Sequence, residues 1–281
     1  MSSSGYTFEC LKVGISGEGV AHVEISRPKA LNAFNTQTWT EIGQCFKRFK
    51  TDGDVRSVVI SAGGRMFTAG LDLKEASEGA LAQGGAAAVE VARRGYYHRL
   101  HILTFQEAIS AVEECDKPVV AVVHGACLGI GIDLTTACDI RMCTEDAYFM
   151  VKEVDIGMAA DVGTLQRLPK VVGNASWVRE VCLTARKIPA SEAQAVGLVS
   201  HVLATKEAAL EKAFEIAGLI AAKSPVAVVS TKHLLNYSRD HSVREGLEYT
   251  AIWNSLAHNS HDMATAIMSS LKKQQAQFPK L

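Results

Sequence analysis

The run KPVVAVVHG, Lys117 to Gly125, constrains this chain more than any other stretch. Val119 to Val123 is an unbroken apolar series held between a proline and a glycine, which reads as a buried strand. It feeds straight into ACLGIGIDLTTACD, residues 126–139, where the pattern becomes that of a helix starting near Gly129. A buried strand turning into a helix calls for an α/β core. Two further apolar strands are expected, RSVVISA at 56–62, ended by Gly63-Gly64, and DIRMCT at 139–144. A strand–strand–helix unit is thereby predicted to recur about three times, and units of this kind stack their sheets face to face.

Upstream, FECLKVGIS and VAHVEIS lie within residues 8–26 with Gly17-Glu18-Gly19 between them, which predicts a β-hairpin. Arg27-Pro28-Lys29-Ala30-Leu31-Asn32 breaks the second strand. A helix is expected over 36–50, with Trp39, Ile42, Phe46 and Phe49 near helical spacing. Residues 75–90, rich in Ala and Gly, are expected to be mobile, and a longer helix is expected over 91–115. No strand pattern follows LVSHVLA at 198–204. Residues 205–223 predict an amphipathic helix with Leu210, Ala213, Phe214, Ala217 and Ile220 on one face. Three more helical segments follow, separated at Ser224-Pro225, near Asp240 and near Asn259-Ser260. The expected architecture is an α/β core of repeated units over 1–204 and an all-helical C-terminal appendage over 205–281. Such an appendage either makes subunit contacts or covers its own core.

Several function classes are excluded or disfavoured. A net charge of −1 leaves no electrostatic footprint for nucleic acid or an anionic membrane. The longest apolar run, Pro118 to Ile132, is interrupted by His124 and glycines and is too short to span a bilayer. The seven cysteines contain no C-x-x-C, and no Cys/His cluster has ligand spacing, so free buried thiols and no metal site are expected. MSSSGYTFEC has neither an apolar core nor an arginine and does not read as a targeting leader. The final Pro-Lys-Leu shares two residues with the peroxisomal S-K-L address, and it reads equally as an arbitrary terminus, which leaves cytosol and mitochondrion open. A phosphate-binding G-x-x-x-x-G-K-[ST] loop, a G-x-S-x-G elbow and H-E-x-x-H are all absent.

Two glycine-containing turns remain, and each follows a buried strand. One is Arg65-Met66-Phe67-Thr68-Ala69-Gly70-Leu71-Asp72-Leu73. The other is Gly125-Ala126-Cys127-Leu128-Gly129-Ile130-Gly131-Ile132-Asp133. Side by side, such turns would offer backbone N–H groups to an oxyanion, whereas taken singly each reads more readily as a plain tight turn. Acids lie close by. Asp133 falls in the first turn of the expected helix, where the helix dipole favours its ionised form. Glu153, Asp155 and Asp161 lie in VKEVDIGMAADVGTLQRL, residues 151–168, among apolar residues. Asp161 could cap the helix that follows, and Asp155 reads as a turn residue. Carboxyls beside an oxyanion hole are what proton transfer alpha to a carbonyl requires, one ionised as base and one protonated as acid.

These turns, the acid spacing and the helical tail resemble the crotonase, or enoyl-CoA hydratase/isomerase, superfamily over nearly the whole chain. The resemblance implies stacked sheets of repeated ββα units. It places one oxyanion amide in Ala69-Gly70-Leu71-Asp72-Leu73, at Leu71, and the other at Ile130, where relatives usually carry glycine. Hydratases of the family hold glutamates at the positions of Asp133 and Glu153 and glycine at Asp161. The shortened first acid and the added third one resemble instead the members that isomerise 3,5-dienoyl-CoA to 2,4-dienoyl-CoA. That implies Glu153 as base at C2, Asp161 as acid at C6, and Asp133 as the group that orients or tunes Glu153. It implies an acyl-CoA substrate bound at 69–73 and Ile130, no separate cofactor, and a homotrimer or homohexamer. Lys29, Arg65 and Lys74 could meet the CoA phosphates or be solvated surface cations. The alternatives are a 2-enoyl-CoA hydratase, a 3,2-enoyl-CoA isomerase, and a catalytically silent scaffold or RNA-binding member.

Overall fold

The computed structural model describes residues 5–78 and 90–281. The hairpin forms as expected. β1 (Leu11–Ile15) and β2 (Val20–Ile25) pair antiparallel with Val13 opposite Val23. β3 (Ser57–Ala62) and β4 (Val119–Val123) are buried at every position, which is why their sequences are continuous rather than alternating. With β6 (Ile140–Thr144) and β9 (His201–Leu203) they complete a six-stranded sheet in the order β1-β2-β3-β4-β6-β9, parallel from β2 onward. A second sheet holds β5 (Ala126–Leu128), β7 (Tyr148–Met150) and β8 (Ile188–Pro189).

The repeating unit is more regular than the sequence suggests. The chain leaves β4 and runs directly into β5 and then into a helix that starts at Ile130, and it leaves β6 into β7. Earlier turns of the spiral do the same with single-residue bridges, Thr68 to Cys127 and Phe34 to Leu71. The second layer is so abbreviated that it leaves no alternating pattern to read. What reads as one glycine turn at 125–133 therefore contains the three-residue strand β5.

Helices α1 (Thr36–Thr51) and α2 (Val91–Glu114) pack together against the hairpin side of the core. α1 starts at Asn35, whose side chain accepts from the Thr38 amide, and it buries Trp39, Ile42, Phe46 and Phe49. Of the Ala/Gly-rich stretch 75–90, residues 79–89 lie outside the described residues. α3 (Ile130–Thr136) is wholly buried, and α4 (Thr164–Val171), α5 (Ala175–Thr184) and α6 (Ala190–Ala195) follow.

The tail consists of α7 (Lys206–Ala221), α8 (Pro225–Arg239), α9 (Val243–Ala257) and α10 (His261–Leu271). α7 lies on the outer face of the large sheet. Its buried stripe is Ala209, Ala213, Ala217 and Ala221, set against Val20, Val59, Val120, Val122 and Met142. Ala213 and Ala217 are buried on the expected face, and Leu210 and Phe214, expected beside them, pack at its margin. Small residues at every fourth position let the helix approach the sheet closely.

Candidate active site

The first turn is built by the strand break that precedes it. Asn32 is fully buried, and its side-chain amide donates to the carbonyls of Gly63 (2.7 Å) and Met66 (2.9 Å). The Thr68 hydroxyl donates to Asn32 O, and the Ala69 amide to Leu31 O. Arg27 pairs with Asp72 at 3.2 Å. Phe34 N donates to Gly70 O, and Asp72 N donates to Phe34 O. The amide between them, Leu71 N–H, has no acceptor among the described residues.

The second turn runs alongside. Thr68 N donates to Ala126 O and Leu128 N to Thr68 O. Ile130 is the first residue of α3, so its amide has no intrahelical acceptor, and none is present elsewhere among the described residues. Gly70 and Gly129, the residues just before the two free amides, have φ of +96° and +50°. The left-handed conformation falls on the glycines, and Ile130 keeps an ordinary negative φ. Isoleucine therefore fits at this position without backbone strain.

Glu153 opens a 3-10 turn, Glu153–Ile156, and is 9% exposed. A Cβ on Gly129 would lie 3.2 Å from its Oε1, so the carboxyl rests against the residue that presents the Ile130 amide. Its Oε2 is buried with no hydrogen-bond partner among the described residues. Burial, and then the negative charge of Asp133, push its pKa up to about 7, and Asp161 adds to the effect. Asp133, 2% exposed, accepts from the Thr164 amide at 2.6 Å. Burial raises its pKa to about 6 against that hydrogen bond and the charge of Arg167.

Asp161 is half-buried on the loop before α4. Burial raises its pKa, while His98 and His101 on α2 oppose the rise. It does not cap α4. The cap position is Gly163, and Asp133 takes the first amide of that helix from across the site. Asp155 is exposed and pairs with Lys152, as a solvated turn residue would. The structure thus gathers Asp133 and Glu153 closely, with Asp161 near enough to be felt by Glu153.

The candidate phosphate contacts are all exposed and make no ion pair among the described residues. Lys29 and Arg65 sit on touching turns, since a Cβ on Gly64 would lie 2.8 Å from Pro28 Cβ. Lys74 lies in the helical stretch 73–78 just beyond Leu71. Sequence reasoning missed Thr164 and Arg167 as partners of the acids. Their signal was the T-L-Q-R run beginning three residues after Asp161.

The profile of the enoyl-CoA hydratase/isomerase family matches residues 16–280. The chain belongs to that family. Among its members, the Homo sapiens protein named Delta(3,5)-Delta(2,4)-dienoyl-CoA isomerase, mitochondrial, is 48% identical over 270 residues, 96% of this chain and 81% of that one. The Arabidopsis thaliana protein of that name, peroxisomal, is 42% identical over 262 residues, 93% of each. A crystal structure of an enoyl-CoA hydratase/isomerase from Mycobacterium abscessus superposes with a TM-score of 0.84 at 30% identity, covering 96% of this chain and 100% of that one. The resemblance and the α/β architecture with its helical tail thus hold across the family. In family terms the site offers two free amides beside carboxyls whose protons are exchangeable near neutral pH.

Proposed function

We propose that this enzyme isomerises 3,5-dienoyl-CoA to 2,4-dienoyl-CoA in the oxidation of unsaturated fatty acids. Glu153 takes the C2 proton. The electron pair moves into the thioester, whose oxygen receives hydrogen bonds from the Leu71 and Ile130 amides. The extended enolate then collapses with C6 taking a proton from Asp161, leaving double bonds at C2 and C4. Asp133 keeps Glu153 basic through its negative charge. C2 and C6 are too far apart for one short carboxylate to serve both, whereas a 3,2 shift needs only one group and hydration needs a water held by two.

The observation that carries this reading is the presence of two acids in separate settings, each with burial favouring its protonated form. Glu153 is buried against Gly129 with an unpaired oxygen, and Asp161 is half-buried on another loop. The names of the human and Arabidopsis relatives support it. No cofactor is needed, because the chain itself supplies both proton groups and the oxyanion donors. Residues 69–73 and Ile130 would line the thioester, with Lys29, Arg65 and Lys74 at its phosphate end. Residues 1–204 would form the catalytic core and 205–281 the helical region that covers it and joins subunits into a trimer or hexamer. A mitochondrial or peroxisomal location fits the relatives.

The test is a near-UV assay of conjugated product from 3,5-dienoyl-CoA without added cofactor, run beside 2-enoyl- and 3-enoyl-CoA. Absorbance change, a gain on the dienoyl and 3-enoyl thioesters and a loss on hydration of the 2-enoyl thioester, should be fastest on the dienoyl substrate. Glu153→Gln and Asp161→Asn should each lose about 10²–10⁴-fold in kcat. A fully active Asp161→Asn, or a preference for a monoenoyl substrate, would overturn the reading.

A further inference from the structure

Asp161 sits on a loop, yet a proton donor must be placed within a fraction of an ångström. The loop is held from outside the site by one face of α2. Gln106, Ser110 and Glu113 are spaced at four and three residues along that helix and so share a side of it. The Gln106 side chain donates to the Asp161 carbonyl at 2.6 Å. Ser110 Oγ accepts from Arg167 Nη2 at 2.9 Å, and Glu113 Oε2 accepts from Arg167 Nε at 3.1 Å. Arg167 is 8% exposed, and its Nη1 reaches the Val162 carbonyl at 3.4 Å. The guanidinium fills the space where a side chain at residue 163 would stand, and a Cβ there would collide with Nη1. Its own backbone amide donates to Gly163 O.

A buried guanidinium is stable only with a paired charge, and Glu113 supplies it. Burial works against ionisation of Glu113, but Arg167 and Arg239 hold its carboxyl below the usual range. Arg239, at the end of α8, also pairs with Glu113. The bracket therefore runs from the tail through α2 to the loop that carries Asp161. The next amide along that loop, Thr164 N, is the donor to Asp133.

We infer that Gln106 and Arg167, mounted on the Gln106–Ser110–Glu113 face of α2, are positioning residues that aim Asp161 at the distal carbon of the substrate. Neither touches the reacting atoms. The inference rests on the isomerase reading, in which proton removal at C2 and delivery at C6 use different groups. Misplacing Asp161 should then slow the second transfer and spare the first. A merely structural bracket would lower both together.

The experiment uses the full chain with Gln106→Met, Ser110→Ala and Arg167→Lys, and dienoyl-CoA carrying deuterium at C2. Three quantities are read: conjugated product formed, deuterium lost from recovered substrate, and amide exchange of the 161–168 segment. For Gln106→Met and Arg167→Lys, kcat should fall about tenfold or more with KM within about threefold, in line with the cost of small misplacements. Label loss relative to product should rise by a similar factor, and the 161–168 amides should exchange faster. Ser110→Ala, which keeps the charge pair, should show the same pattern more weakly and stands in for Arg167→Lys should that variant not fold. Faster amide exchange with an unchanged ratio of label loss to product would overturn the inference, as would unchanged exchange. Wild-type protein that forms no conjugated product would overturn the isomerase reading instead, and the amide exchange would then decide whether the bracket holds the loop.

Discussion

Glu153 is a costly residue to keep. Its carboxyl is nearly enclosed, one oxygen lacks a partner, and Asp133 lies close by. Burial pushes its pKa from an ordinary 4.5 to about 7. Between those values the unfolded chain has released the proton while the folded chain still holds it. The folded state then binds more protons, so this group's contribution to stability falls as pH rises, and above about 7 the full penalty is present. The penalty is on the order of 3 kcal/mol. Glu153→Gln removes the titration. Its stability relative to wild type should therefore increase between pH 5 and pH 8, by roughly 2 kcal/mol in urea denaturation. A relative stability that stays flat over that span would mean that Glu153 ionises as an ordinary surface acid. Activity should move the opposite way in the wild type. kcat/KM should climb through pH 6–7, where the Asp133–Glu153 pair titrates as a unit. A kcat/KM that is level from pH 5 to 8 would remove Glu153 as the base. The same carboxyl is thus unfavourable for stability at the pH where it is available to take a proton.

At the scale of elements, legibility followed periodicity and length. α1 was readable because Trp39, Ile42, Phe46 and Phe49 repeat at helical spacing, and all four are buried. β3 and β4 were readable because burial on both faces makes their sequences continuously apolar. β5, β7 and β8 are two or three residues long, too short for any alternation to register. Of the site, the two turns and the acids could be found from residue types, since glycine followed by a free amide and acids in apolar runs are local signals. The Thr164-to-Asp133 bond and the Arg167 bracket could not, because they join segments 31 and 54 residues apart. α7 shows a subtler limit. The expected face held Ala213 and Ala217 together with Leu210, Phe214 and Ile220, and close approach to the sheet buries the alanines while the larger residues stay at the margin or outside it. Ala213 is fully buried against that sheet. Ala213→Leu should overpack it and cost about 1–3 kcal/mol in urea denaturation, with kcat of the folded fraction unchanged. A loss under about 0.5 kcal/mol would mean that α7 can lift from the sheet without penalty.

At the scale of the whole molecule, the α/β core is closed on one side by α7, and the helices beyond it are not. Leu235 on α8, Leu247, Ile252 and Leu256 on α9, and Ile267 and Leu271 on α10 are all more exposed than buried, Leu256 at 78%. Single exposed apolar residues are ordinary, but three consecutive helices carrying them make a surface of the kind that interfaces cover. α8 and α9 are held to each other by Tyr237 stacked on Tyr249 at 4.0 Å and His233 on Trp253 at 4.0 Å. Those rings fix the angle at which the apolar residues are presented. A second and third copy of this chain are the simplest cover, and Arg239 ties the same region to Glu113 and so to the acid loop. Wild-type protein should sediment at the mass of three or six chains. Leu247→Glu with Leu256→Glu places two charges on the surface of α9 and touches no buried group, so each chain should fold and shift to the monomer mass. Arg239 and Glu113 belong to one chain, so the brace on the acid loop should survive subunit separation and kcat should be retained. A wild-type monomer in sedimentation would leave the tail as a cover for its own core. A dissociated double variant with lowered kcat would show that the bracket on Asp161 does not hold without its neighbours.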